Sequence, residues 1–207
     1  MPKRLVPTRV GRRELNKEDK LRRIKNAARR LFVANGYDEA STRQIAVTAG
    51  VALGTLFLYA ADKRDLLFLV VNDGLEAVAD RAAAAVRSDV SLIENLIAVF
   101  RPLYEFFGGE PKLSRLTLRE MMFYESGPQA KRFLSTRQKM TDLCIDIVQI
   151  ARSRNGIKSS DRRAGEVLFA IFQIEIRKWL TARRPNVEDG LRSLREALEV
   201  VINGLSK

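Results

Sequence analysis

Apolar residues recur along the chain at spacings of three and four, the period of an amphipathic helix, and no segment shows the two-residue alternation of a strand. Leu21, Ile24, Ala28, Leu31 and Phe32 fall on one helical face, and Asn35-Gly36 closes that segment. Ser41-Thr42-Arg43-Gln44 has the spacing of a capping box and predicts a short helix to Ala49. Gly50 suits the left-handed turn that would follow, and a second short helix is expected from about Ala52 to Tyr59. Asp62, with Asp65 one turn on, predicts the start of a long helix, and Ser91-x-x-Glu94 predicts another, ending at Gly108-Gly109. Further helices are expected over Leu113–Tyr124, from Gly127-Pro128 to Asn155-Gly156 on the stripe Phe133, Met140, Cys144, Ile147 and Ala151, over Asp161–Arg183, and from Asn186 onward on Leu191, Leu194, Leu198, Val201 and Leu205. The pattern predicts an all-α protein of about nine helices.

Charge changes this picture by dividing the chain. The 207 residues carry 37 Lys and Arg against 25 Asp and Glu, a net charge of +12. Residues 1–66 hold 15 of the basic and 7 of the acidic groups. The N-terminal third is therefore the part expected to meet a polyanion, nucleic acid before anionic membrane; a solvated basic surface is the plainer alternative. Residues 1–16 contain Lys3, Arg4, Arg9, Arg12 and Arg13 together with Pro2, Pro7 and Gly11, and read as a flexible basic arm. Such an arm either follows the minor groove or phosphates of DNA or has no role.

Composition narrows the chemistry. The chain has no His, which removes the usual general base and metal ligand, and its one Cys, Cys144, leaves no thiolate cluster and no intrachain disulfide. No phosphate-loop or Gly-x-Ser-x-Gly pattern occurs, and Cys144 lies on an apolar stripe. The sequence is read as no enzyme, with no cofactor and no metal. No apolar run is long enough to span a bilayer, no export signal is seen, and a reducing cytoplasm is the expected setting.

The two short helices on either side of Gly50 have the layout of a helix-turn-helix: Ala46 is small where the helices would cross, and Ile45, Val51 and Leu56 can pack the pair onto the preceding helix. An ordinary helical hairpin fits the same spacing. The longer run from Gly36 to Leu67 resembles the DNA-binding domain of TetR/AcrR-family transcriptional regulators through Gly36-Tyr37, Ser41-Thr42, Gln44-Ile45-Ala46, Ala49-Gly50-Val51, Gly54-Thr55-Leu56, Tyr59, Lys63 and Leu66-Leu67. With the helix before it, the resemblance covers about residues 17–67. After the basic arm at 1–16, it implies a DNA-binding domain at 17–62 and a helical effector-binding and dimerisation domain at 63–207.

The resemblance places Thr42 and Arg43 at phosphate or a base edge, Gly54 and Thr55 at bases, and Phe57, Leu58, Tyr59 and Lys63 on the same DNA-facing surface, with Tyr59 a phosphate donor or a packing residue and Lys63 holding a phosphate. The chain departs from the family pattern in a consistent direction. Leu53 stands where the family often has Lys, Phe57 where it usually has Tyr, Leu58 where His or Tyr is common, and Ala60 where an aromatic normally follows. Leu53 and Leu58 offer no hydrogen bond to a base edge, though they can touch thymine methyls. Thr55 is then the main polar reader.

The segment Asp161–Arg183 is apolar over most of its circumference through Val167, Leu168, Ile171, Phe172, Ile174, Ile176, Trp179 and Leu180. Such a helix needs covering on nearly all sides. A homodimer formed through residues 161–205 supplies the cover; burial at the centre of a monomer is the alternative. The resemblance also implies a small-molecule effector site, for which Phe100, Tyr104, Phe107, Met121, Phe123 and Trp179 are the candidate lining. Arg101, Arg119 and Arg177 are candidates to meet an acidic ligand or to form salt bridges with Glu105, Glu120 and Glu175. The function expected is a ligand-responsive regulator, read as a repressor, that binds a palindromic site on double-stranded DNA as a homodimer and is released by an effector. The competing function is a helical protein that binds acidic partners or membrane through its basic third.

Overall fold

A computed structural model describes residues 11–155 and 161–205. Lys3, Arg4 and Arg9 of the basic arm lie outside these residues. The chain divides between Val70 and Val71 into two compact units. Among the described residues there are nine helices and no strand.

The first unit contains α1 (Arg12–Asn35), α2 (Thr42–Ala49), α3 (Leu53–Leu56) and the start of α4 (Lys63–Ala84). Helix α1 begins at Arg12, so Arg12 and Arg13 are helical, where the sequence reading put an arm running to residue 16. Its stripe is buried at Ile24, Ala28 and Phe32. Ser41 and Gln44 form the expected capping box: the Gln44 amide donates to the Ser41 hydroxyl at 3.2 Å and the Ser41 amide to the Gln44 side-chain oxygen at 2.9 Å. Gly50 ends α2 at φ 63°, ψ 41°, a left-handed conformation that glycine adopts without strain. Arg23 of α1 donates to the Ala49 carbonyl at 2.9 Å, placing a cation on the negative end of α2. Helix α3 is a single turn and is shorter than the expected Ala52–Tyr59 segment. From Phe57 onward the chain makes tighter turns, with the amides of Leu58 and Tyr59 bonded three residues back to Thr55 and Leu56. These turns keep Leu56 and Ala60 fully buried. Asp62 caps α4 by accepting from the Asp65 amide at 2.7 Å, and the buried Asp65 carboxylate accepts in return from Ala61 at 2.8 Å.

The second unit contains the remainder of α4 and α5 (Leu92–Gly109), α6 (Pro111–Glu120), α7 (Ala130–Asn155), α8 (Asp161–Leu180) and α9 (Val187–Leu205). Helix α6 ends four residues before Tyr124 and α8 three before Arg183, the limits expected from sequence. Helices α7 and α8 form the largest helix pair, and α9 packs on α5 and α8. Gly165 permits the α7–α8 approach, because a Cβ there would lie 2.7 Å from the Ile145 backbone nitrogen. Polar ties brace the outside of the unit. Arg132 of α7 grips Glu76 at 2.7 and 2.8 Å and Asp73 at 2.8 Å, and Arg115 of α6 donates to the Leu180 and Ala182 carbonyls at 2.7 and 2.8 Å. Helix α8 is not covered all round. Leu168, Phe172, Ile176 and Leu180 are buried, while Val167 is 38% and Ile174 57% exposed; on α9, Val200 is 75% exposed.

Candidate DNA-reading surface and effector pocket

In the first unit, α2 and the α3 turn present the residues that the sequence reading singled out. Arg43 and Gly54 are exposed and Thr42 and Thr55 half-buried. A Cβ on Gly54 would meet nothing within 4 Å, so the backbone there is open to close approach. Phe57 is 44% and Leu58 80% exposed. The two expected phosphate donors are already engaged. The Tyr59 hydroxyl donates to the Lys17 carbonyl at 3.3 Å. Lys63 donates to the Asp38 carbonyl at 3.1 Å and sits 4.6 Å over the Tyr37 ring. In the free protein both side chains brace the three-helix unit, and contact with phosphate would require Lys63 to share or exchange its carbonyl partner. Exposed Lys17, Lys20, Arg22, Arg29, Arg30 and Arg43 keep the unit cationic. Asp19 offsets part of that charge, and the hydrogen bond from Arg22 holds its carboxyl below the usual carboxylate range.

The second unit contains a partly open apolar pocket with a cavity volume of about 60 Å³. Five helices build it. Leu75 and Ala79 come from α4, Leu103 and Phe107 from α5, Leu118 from α6, Phe133 and Met140 from α7, and Phe169, Phe172 and Ile176 from α8. Four polar side chains join this wall: Thr136, Arg137, Gln173 and Arg177. Two are cations and none is a carboxylate. The Arg177 guanidinium donates to the Gln173 carbonyl at 2.7 Å. Burial, and after it the nearby Arg137 charge, lowers its pKa from the usual arginine range. Arg137 is exposed and Arg177 half-buried, and a partly dehydrated cation such as Arg177 stabilises an incoming anion more than a fully solvated one would. A shallower depression lined by Arg115, Arg119 and Met122 continues outward from Leu118 and Arg177.

Of the six side chains proposed for this pocket, Phe107 and Met121 line it. Phe100 stands one layer behind, stacked on Phe172 with ring centroids 4.3 Å apart. Tyr104 is buried between Phe172 and Trp179, and the Trp179 indole donates to the Asn186 carbonyl, bracing the α8–α9 connection. Phe123 follows α6 at a φ of 55° and is 85% exposed. Of the candidate arginines, Arg101 pairs with Glu188 of α9 and Arg119 with the neighbouring Glu120. Arg177 reaches the pocket. Phe133, Met140 and Phe172 were visible in sequence only as members of apolar stripes, and Arg137 carried no signal that set it apart from other surface cations.

Among the described residues no helix is long and apolar enough to cross a membrane, and no group of three or more His, Cys, Asp or Glu side chains could hold a metal ion.

The chain thus combines a compact helix-turn-helix unit with a second all-α unit that holds an apolar pocket. Residues 24–70 match the family model for bacterial regulatory proteins of the tetR family. The chain is similar to the fatty acid metabolism regulator protein of Bacillus subtilis, 25% identical over 151 residues that span 73% of this chain and 72% of that protein. Its fold is shared with Thermus thermophilus FadR, a TetR-family transcriptional repressor solved in complex with lauroyl-CoA (23% identity, TM-score 0.67, 89% of this chain and 94% of that one). It is shared also with Bacillus subtilis FadR in complex with stearoyl-CoA (21% identity, TM-score 0.66, 88% and 98%).

Proposed function

We propose that the protein is a repressor that holds a palindromic operator as a homodimer and is released when a long-chain acyl-CoA, or an amphipathic anion of the same kind, fills the pocket of the second unit. The observation that carries the reading is a wall almost wholly apolar except for Thr136, Gln173 and the two cations Arg137 and Arg177. An acyl chain has no polar group to satisfy, so the interior suits it. Its anionic head has a ready partner at Arg177, with Arg115 and Arg119 in the depression beyond. The ligands bound by the two FadR proteins have this chemistry.

The dimer is supported by Val167, Ile174 and Val200, which are exposed on α8 and α9 at residues 161–205. Thr42, Arg43, Gly54, Thr55, Phe57, Leu58, Tyr59 and Lys63 form the proposed DNA-facing set. The pocket acts by binding alone, without turnover, and the working compartment is the cytoplasm. The effector releases DNA because it binds better to a spacing of the two reading heads that does not match successive major grooves.

The test is competition. Stearoyl-CoA added to the protein on its selected operator is expected to release the DNA at micromolar concentration, while CoA alone is not. Equal response to both, or none to stearoyl-CoA, rejects the acyl-chain reading.

A further inference from the structure

The proposed DNA-facing segment carries exposed apolar side chains within a strongly cationic third of the chain. Leu58 is 80% and Phe57 44% exposed, and Leu53 is half-buried beside the open backbone of Gly54. Groups that could hydrogen-bond base edges include the exposed Arg43 and the half-buried Thr42 and Thr55. Ser41 and Gln44 are tied to each other, Tyr59 to Lys17 and Lys63 to Asp38. Large exposed apolar side chains grouped on one functional surface mark something they are meant to cover. The surrounding charge says what: 15 Lys and Arg against 7 Asp and Glu within residues 1–66 fit a polyanion. In the major groove of duplex DNA the one apolar feature of a base edge is the 5-methyl group of thymine.

We propose that Leu53, Phe57 and Leu58 read thymine 5-methyl groups, so that the chain selects its operator largely by methyl contact rather than by hydrogen bonds to bases. The proposal rests on the DNA-binding reading above and adds the chemistry of the bases chosen. Cations around the patch hold phosphate and carry no sequence choice. Gly54 brings the backbone close, which lets short side chains reach the groove floor. Phe57, which lacks a hydroxyl, gives its whole edge to apolar contact.

The experiment begins by selecting bound duplexes from a random library with the full chain at near-physiological salt. Failure to recover any palindrome overturns the DNA-binding reading itself, and this proposal with it. With the recovered duplex in hand, each thymine is replaced in turn by uracil, which keeps the base pair and removes only the methyl. A few positions in each half-site are expected to weaken binding about three- to fivefold per methyl, the size expected for one buried carbon. The Leu53→Ala, Phe57→Ala and Leu58→Ala variants should bind more weakly and lose the penalty at the base each one touches. Because Phe57 and Leu58 are exposed, unchanged thermal unfolding of those two variants separates the effect from misfolding. Uracil tolerated at every position of a duplex that is bound sequence-specifically overturns methyl reading. If Leu58→Ala and Phe57→Ala also leave DNA affinity unchanged, the patch serves a protein partner instead.

Discussion

The two units carry their sites in opposite ways. The proposed DNA-reading surface is local: its residues fall between Thr42 and Lys63, and its shape follows from a capping box, one left-handed glycine and a one-turn helix. The pocket is distributed: its lining runs from Leu75 to Arg177 and comes from five helices, none of which forms a site alone. A local site sits on exposed side chains above a small fixed core, so its residues can change without changing the fold. A distributed site is made of the core, so its lining residues serve stability and function together. This difference predicts how each unit responds to mutation.

The sharpest contrast is at Phe172. It lines the pocket, is 3% exposed and stacks on Phe100. Phe172→Ala is expected to cost about 3–5 kcal/mol of stability, from lost transfer energy and the cavity left behind. Exposed Phe57→Ala should stay within about 0.5 kcal/mol of the parent. Chemical denaturation of both variants checks this. Similar losses at the two positions would break the distinction between a surface site and a core site.

Arg177 divides function from stability inside the second unit. Arg177→Met keeps the apolar stem and removes the cation. Acyl-CoA binding should weaken by roughly 10- to 100-fold, the range for a hydrogen bond to a charged group, while operator affinity without effector is unchanged. Calorimetric titration and a gel shift on the same preparation measure both. Loss of DNA binding alongside effector binding would show that the pocket charge also maintains the fold.

In the first unit, Gly50→Ala puts a side chain at φ 63° with its Cβ 3.1 Å from the Arg23 guanidinium. The left-handed conformation costs about 1–2 kcal/mol. Arg23 can yield, but its hold on the Ala49 carbonyl then loosens. Thermal unfolding should show the loss and the gel shift a weaker complex, with acyl-CoA binding intact.

The same contrast governs what could be read from sequence. Elements were legible wherever a local signal ends a helix. Gly50, Ser41 with Gln44, and Asp62 with Asp65 each act on neighbours within a few residues, and each takes the role their order suggests. The length of α3 was not legible, because the turns after Leu56 are set by burial of Leu56 and Ala60 rather than by a breaker residue. Nor was the pocket wall. Phe100 and Phe107 lie on one amphipathic helix a short way apart, yet Phe107 lines the cavity and Phe100 supports it from behind. Which of two apolar residues faces a void depends on five helices meeting, and no single helix carries that in its period. Tyr104 and Trp179 were likewise separated from the cavity by their contact with each other and by the Asn186 carbonyl.

The smallest effect lies at the two helix starts that share one sequence pattern. Ser41-x-x-Gln44 and Ser91-x-x-Glu94 both read as capping boxes, and both serines accept from the amide three residues on. At the first, the Ser41 amide donates in return to Gln44, whereas at the second the Glu94 carboxylate accepts from Arg195 of α9 at 2.9 Å. Ser41→Ala and Ser91→Ala should each cost about 1 kcal/mol, the ordinary worth of an N-cap. Removal of the third residue after the cap should separate them. Gln44→Ala loses a local bond and is indifferent to pH and salt. Glu94→Ala loses an exposed ion pair worth about 0–1 kcal/mol that salt screens. The Arg195 hydrogen bond lowers the Glu94 pKa, so its contribution is present above the ordinary carboxylate value and is lost as pH falls through the lower folded one. Unfolding at neutral and acid pH, at low and high salt, measures the difference. A pH-dependent Gln44→Ala, or a Glu94→Ala whose effect survives both acid and salt, would mean that the shared sequence pattern, and not the partner that each unit supplies, decides what the third residue does.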